Sequence, residues 1–333
     1  MLRRITLLLA IAIPLALAPA EARRAIHLNT IGVNTIGPSS PQDPKPDPQK
    51  KTEPEDDIFK VETNLVVLNV TVTDFGEQYV TGLKEKDFTV YEDGLPQKIQ
   101  GFSFEEMPFA SSILLDSSAS MENRLTHARA ACARFVEGIR EGDVFSIYKF
   151  GGAKVKLLQE FTEVRDIPDS VWEMRADSLT PLYDAVVTAS EALAKRDERR
   201  RAIVLVSDGG DSNSRASLDE AVRQATNAGA GVYAVNLSNA GLYKSAGHDA
   251  GAEAMKTLAA KTGGRFFSTP GGQALRDAFD STVEELRRQY TISYESTNDK
   301  QDGKWRKIEV RVGKAGLNVR TRQGYYAAKK KKA

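Results

Sequence analysis

The sequence has a single cysteine in 333 residues. That excludes an internal disulfide framework and any zinc site built on thiolates. Histidine is almost as scarce, and His27, His127 and His248 offer no clustered pair for an imidazole metal site. Net charge is missing too. The 46 Lys and Arg against 45 Asp and Glu leave +1, which argues against a nucleic-acid binder working by bulk electrostatics. A glycine-rich phosphate loop and a G-x-S-x-G elbow are both absent. What is present is 41% hydrophobic and 8% aromatic residues, enough to build a core and to exclude wholesale disorder. The length suggests about two domains.

The ends depart from this average. Arg3 and Arg4 precede an apolar stretch from Ile5 to Leu17, and Ala18-Pro19-Ala20 and Ala20-Glu21-Ala22 follow with small-x-small spacing. Residues 1–22 therefore read as a secretory signal peptide. The apolar stretch spans 13 residues, short of the roughly 20 that a membrane helix needs. No cysteine follows it, so a lipoprotein anchor is excluded. No later stretch is long and apolar enough to span a bilayer. The reading implies an exported protein, periplasmic or extracellular, with no transmembrane segment once the signal is removed. From 23 to 57 the chain reads as a linker. Six of its 13 prolines fall between Pro38 and Pro54 among Asp, Gln, Lys and Ser, a composition that buries too little apolar surface to fold. Residues 328–333 form a lysine-rich tail.

Between these ends two patterns appear. Val66, Leu68, Val70 and Val72 alternate with Val67, Asn69, Thr71 and Thr73, which predicts a strand with one apolar face. Phe88–Tyr91 reads as a second strand. Glu92-Asp93-Gly94 reads as a turn, and Gln97 to Phe104 as one returning strand. Tyr290–Tyr294, Ile308–Val312 and Leu317–Thr321 are strand-like at the far end. The β segments 58–107 and 289–327 are each too small to bury a face alone. They are expected to build one small β-sandwich around the region 108–288.

That central region alternates strand and helix. Strands are expected at 112–115, 144–150, 203–206, 232–237 and 266–267, with an edge strand at 155–158. Helices carry Leu125 to Ile139, Leu182 to Leu193, Ser217 to Gly229, Met255 to Gly263 and Leu275 to Leu286. The fold class is α/β, a doubly wound and mostly parallel sheet. Cys132 falls on the apolar face of its helix and reads as a core residue.

In such folds ligands bind beyond the carboxyl ends of the strands. Three strand-end loops carry the chemistry: Asp116-Ser117-Ser118-Ala119-Ser120, Ser178-Leu179-Thr180-Pro181, and Ser207-Asp208-Gly209-Gly210-Asp211. Asp116, Ser118, Ser120, Thr180 and Asp208 are all hard oxygen donors, which suit Mg2+, Mn2+ or Ca2+ rather than zinc or copper. Each piece alone has a plainer reading. The first is an Asx and Ser turn. Thr180 is a helix N-cap before Pro181. Asp208-Gly209 is an ordinary strand-to-loop turn. Asp211 reads as a loop residue, and Asp184 as a first-turn carboxylate or a supporting acceptor.

Taken together, the loops resemble the von Willebrand factor type A domain family and its metal-ion-dependent adhesion site. Asp116-x-Ser118-x-Ser120 matches the D-x-S-x-S motif of that family, Thr180 its threonine and Asp208 its second aspartate. The resemblance covers about residues 108–288. It implies Mg2+ or Mn2+ held directly by Ser118 and Ser120, by Asp116 and Asp208 directly or through water, and by Thr180 in the ligand-competent state. One coordination position would remain for the Asp or Glu carboxylate of a partner protein. Ala119 stands where many members have glycine. The flanks, with Asp87 to Gly94, also resemble secreted bacterial proteins that carry this domain. The implied function is an exported adhesion or interaction module and not an enzyme.

The competing reading is a Mg2+-dependent phosphohydrolase of the haloacid-dehalogenase type, with Asp116 as nucleophile and Asp208 and Asp211 holding the metal. It fails at Ser118, where that chemistry needs a second carboxylate as general acid.

Overall fold

The computed structural model describes residues 65–238 and 246–329. The signal-like segment 1–22, the proline-rich linker 23–57, residues 58–64 and the last four residues of the tail lie outside the described residues.

In chain order the elements are β1 (Leu65–Thr73), β2 (Phe88–Glu92), β3 (Leu95–Gln97), β4 (Ile99–Ser103), β5 (Phe109–Asp116), α1 (Leu125–Gly138), β6 (Val144–Gly151), β7 (Lys154–Thr162), α2 (Asp169–Trp172), α3 (Leu182–Leu193), β8 (Arg200–Ser207), α4 (Leu218–Asn227), β9 (Ala230–Asn236), α5 (Ala246–Thr262), β10 (Phe266–Ser268), α6 (Gly272–Arg287), β11 (Tyr290–Glu295), β12 (Trp305–Val312), β13 (Asn318–Arg320) and β14 (Gly324–Tyr326).

Side-chain alternation explains why the central strands read as continuous apolar runs. In β5 and β8, Ile113, Leu115, Val204 and Val206 point to one face, where they pack with Phe135 of α1 and Phe279 of α6. Their neighbours Leu114, Ile203 and Leu205 point to the other face, against Val186 of α3, Val222 of α4 and Leu258 of α5. A strand covered by helices on both faces has no polar side. The six strands lie in the order β10-β9-β8-β5-β6-β7. The pairings from β10 to β6 are parallel and β7 closes the edge antiparallel to β6. Cys132 is fully buried in the first of these cores, and burial pushes its thiol up to about 12.

The two flanks interleave. β1 pairs with β11 and β2 with β12, both antiparallel. The result is two four-stranded sheets, β13-β1-β11-β4 and β14-β12-β2-β3. Leu68, Val90, Ile292 and Val310, drawn from both sheets and both flanks, share one core. Neither flank could bury its apolar face without the other.

One expected strand is divided. After the turn at Asp93 and Gly94, which take positive φ of 48° and 83°, β3 pairs with β2 in one sheet. The chain then crosses at Lys98, and β4 pairs with β11 in the other sheet. Alternation over so few residues carries no information about which partner a strand joins. β14 and α2 are short elements without a periodic signal.

Arg200, at the start of β8, ties the two parts together. It is fully buried and donates to the carbonyls of Glu105, Leu286, Arg287 and Gln289. Those carbonyls lie on the chain that enters β5 and on the exit from α6, where a helix end leaves acceptors unpaired.

Candidate metal centre

β5 ends at Asp116 and β8 at Ser207, on adjacent parallel strands. Parallel register sets both strand ends at the same edge of the sheet, so the loops that follow must meet.

The first loop is shaped by its own aspartate. Asp116 Oδ1 accepts the Ser118 amide at 2.7 Å, and Asp116 Oδ2 accepts the Ser207 hydroxyl at 2.5 Å. The turn thus predicted on its own is present, and it places Ser118 and Ser120 side by side. Their hydroxyl oxygens are 3.1 Å apart. Ser120 Oγ donates to Asp208 Oδ1 at 2.9 Å. Asp116, Ser118, Ser120 and Asp208 therefore form one cluster of oxygen atoms drawn from two strand ends. Ala119 needs no positive φ, so the missing glycine imposes no strain.

Thr180 joins through its backbone. Its amide donates to Ser212 Oγ at 2.9 Å, and its carbonyl accepts the Ser212 amide at 3.0 Å. Ser212 belongs to the loop that carries Asp208. On the other side Asp177 donates its amide to the Ser117 carbonyl. The Thr180 loop is thereby stitched to both of its neighbours. Thr180 is not the cap of α3. That role falls to Asp211, whose Oδ1 accepts the amides of Leu182 at 2.9 Å and Tyr183 at 3.3 Å. Asp211 is thus spent on a helix N-terminus, which disfavours the phosphohydrolase reading that needs it at a metal. Asp184 accepts the amides of Arg215 and Ala216 and pins the end of the same loop, the supporting role expected of it.

The site is buried and electrostatically unfinished. Asp116 is fully buried and Asp208 is 3% exposed. Burial, the leading cause, pushes the Asp116 carboxyl up to about 6 against the hydrogen bonds from Ser207 and Ser118, and Asp208 adds to the rise. A carboxyl held above its ordinary value lacks sufficient positive charge nearby.

The donors fit a hard divalent cation. Neighbouring ligands of an octahedral ion held at ~2.1 Å stand ~3.0 Å apart, and the two oxygen separations along Ser118, Ser120 and Asp208 are 3.1 and 2.9 Å. Among the described residues no three His, Cys, Asp or Glu side chains cluster so as to hold a metal. A cation here would depend on hydroxyls as much as on carboxylates.

Three contributors were not foreseen from the sequence. Ser207 supplies the shortest hydrogen bond to Asp116. Arg124, four residues beyond Ser120, donates to Asp208 Oδ2 at 2.9 Å and to the Ser120 carbonyl at 3.2 Å. Its i+4 spacing is the one signal that could have revealed it. Gly251 in α5 lies against the backbone of Gly209, and an added Cβ would fall inside the Gly209 carbonyl. The loop that presents Asp208 is seated on a helix backbone that only glycine permits, and nothing in the sequence pattern marks that contact.

Comparison with known proteins adds the following. The von Willebrand factor type A domain model matches residues 112–281, half of the chain. No curated protein matches it in sequence. Among solved structures, the vWF domain of the type V pili tip protein Mfa5 from Porphyromonas gingivalis is 14% identical, with a TM-score of 0.46, covering 54% of this chain and 95% of that one. A von Willebrand factor type A protein from Catenulispora acidiphila is 11% identical with a TM-score of 0.44, over 81% of this chain and 76% of that one. The PilB minor pilin from Streptococcus sanguinis is 14% identical with a TM-score of 0.43, over 57% of this chain and 63% of that one.

Proposed function

This chain belongs to the von Willebrand factor type A domain family, and from that premise we propose that its strand-end site holds Mg2+ or Mn2+ and captures an acidic residue of a partner protein. The observation that carries the reading is the cluster of Ser118, Ser120 and Asp208 at ligand-like oxygen spacings beside the buried, under-compensated carboxyl of Asp116. Ser118 and Ser120 would hold the ion with Asp116 and Asp208, and Thr180 would join them in the ligand-competent state. The bound ion would supply a Lewis-acidic position for the Asp or Glu carboxylate of the partner. The chain itself does the rest. Asp116 orders the first loop through the Ser118 amide, Ser207 holds Asp116 in one orientation, and Gly251 seats the Asp208 loop. Leu179 beside Thr180 is 38% exposed and offers an apolar rim contact that selects the partner.

We place the protein outside the cytoplasm, periplasmic or extracellular, on the order of basic, apolar and small residues within 1–22. Among the described residues no helix is long and apolar enough to cross a membrane. The proposed functional division is an interaction domain at 108–288 carried by a sandwich of 58–107 and 289–327. It is a binding module and not an enzyme.

The test is calorimetry with Mg2+ and Mn2+ on the full chain, followed by pull-down from envelope extract with and without chelator. Binding of either ion, and loss of the captured protein with chelator and in Ser118→Ala, is the expected result. Absence of any heat of binding for both ions would end the proposal.

Arg124 makes a separate prediction. Its guanidinium occupies one oxygen of Asp208 with the charge that a metal would bring. Arg124→Gln is therefore expected to tighten Mg2+ binding by roughly tenfold, ~1.4 kcal/mol. Unchanged or weaker binding in a titration would show that Arg124 orders the site instead of competing for it.

A further inference from the structure

The amino ends of the parallel strands lie at the opposite edge of the sheet, seven residues or ~23 Å along β8 from the oxygen cluster. There the α/β part meets the outer face of one sandwich sheet, and a cavity of about 590 Å3 opens between them. That is the size of a small-molecule site.

Its floor follows from strand alternation. Val66, Leu68 and Val70 of β1 and Tyr290, Ile292 and Tyr294 of β11 point into the sandwich core. Their neighbours Asn69, Thr291 and Ser293 line the cavity, with Ser103 of β4 beside them. The floor thus combines one amide and three hydroxyls with the apolar Leu65, Val67 and Phe102. Gly101 keeps it open, since a Cβ there would meet Ser293 Oγ at 2.5 Å.

The walls carry charge of one sign. Arg199, Arg201 and Arg322 line the cavity and no carboxylate does. Among the described residues none of the three forms a salt bridge. Arg201 donates to the carbonyls of Arg196, Glu198 and Ala228, and Arg322 to those of Thr226 and Val67. Carbonyls hold a guanidinium in place without cancelling its charge. Burial accordingly lowers both groups from the ordinary arginine value.

Hydrogen-bonding capacity is also unused here. Thr291 is 4% exposed, and its hydroxyl has no partner. Asn69 Oδ1, in the same floor, is likewise unpaired. Buried polar atoms without partners are uncommon, and two on one cavity floor mark a place where something polar is to be received.

We infer that this cavity binds a small hydroxylated anion, a sugar phosphate or a sugar acid, whose charged group meets the arginines and whose hydroxyls meet Asn69, Ser103, Thr291 and Ser293. The site is independent of the metal centre and of its proposed partner.

Calorimetry on the full chain in excess chelator and low salt, with glucose 6-phosphate, glucuronate and glucose, tests this. Binding of at least one of the two anions and none of glucose is expected. Which anion binds identifies the charged group that the arginines accept. Arg199→Gln, at an exposed position, is expected to weaken that binding roughly tenfold, and Thr291→Val to weaken it several-fold with an unchanged melting temperature. If neither anion binds, if glucose binds as well as they do, or if binding survives Arg199→Gln intact, the inference is overturned. Should Thr291→Val fail to fold, Arg199→Gln decides alone.

Discussion

Asp116→Asn is expected to weaken divalent-metal binding by roughly a hundredfold or more while making the metal-free protein more stable at neutral pH. The two effects have one cause. Asp116 is fully buried at the end of β5, and burial pushes its carboxyl from 3.8 up to about 6. A raised folded-state value means that the folded protein holds this proton more tightly than the unfolded chain. The contribution is fully present below about pH 3.8 and is lost as pH rises through about 6. Across that window the metal-free protein forfeits ~3 kcal/mol from this group. Asparagine keeps an acceptor for the Ser118 amide and removes the ionisation, so its loss on going from pH 5 to pH 8 should be smaller by about half of that, ~1.4 kcal/mol. Chemical denaturation of both proteins at the two pH values, in chelator, measures this. A cation that binds only the folded state should restore the wild-type protein at pH 8 and leave Asp116→Asn unmoved. Metal affinity in the variant is expected to fall by roughly a hundredfold or more, about 2.7 kcal/mol. Equal pH profiles for the two proteins would show that Asp116 ionises at no cost and that no cation is needed there.

Arg200→Leu is expected to lower stability by several kcal/mol, about one for each hydrogen bond lost and more for carbonyls left buried and unpaired. Arg200 donates to four carbonyls on two segments that join the sandwich to the α/β part. Two of them, Leu286 and Arg287, are at the end of α6, where the helix offers no donor of its own. Leucine fills part of the volume and satisfies none of these groups. The site at the far end of β8 should be affected only through stability, so metal affinity measured well below the transition should match wild type. A variant that melts like wild type would mean that water or relaxed backbone replaces the guanidinium.

The sequence carried most of this architecture because the relevant signals are local. The unbroken apolar run Ile203–Val206 could only be a strand covered on both faces, and the helices that cover it, with Val186 on one side and Phe135 on the other, show the helical spacing required. The candidate oxygen ligands were legible for the same reason. A motif of alternating Asp and Ser after a strand, and an Asp-Gly after another, fix their own backbone turns, and parallel strands bring their ends to one edge. The divided strand at Lys98 was not legible, because a three-residue strand such as Leu95–Gln97 pairs with whichever edge lies nearest and leaves no periodic trace.

By itself the sequence determined the periodicity, the fold class and the candidate oxygen donors, since each depends on residues close together in the chain. Tertiary structure alone decided that Asp211 caps α3 instead of facing the oxygen cluster, that Arg124 reaches Asp208 and that Gly251 seats the Asp208 loop. It alone set three arginines and an unpaired Thr291 hydroxyl around one cavity. These contacts join residues dozens to hundreds of positions apart or depend on where a side chain points. Such contacts come from packing two parts of the chain together, and no local pattern records them.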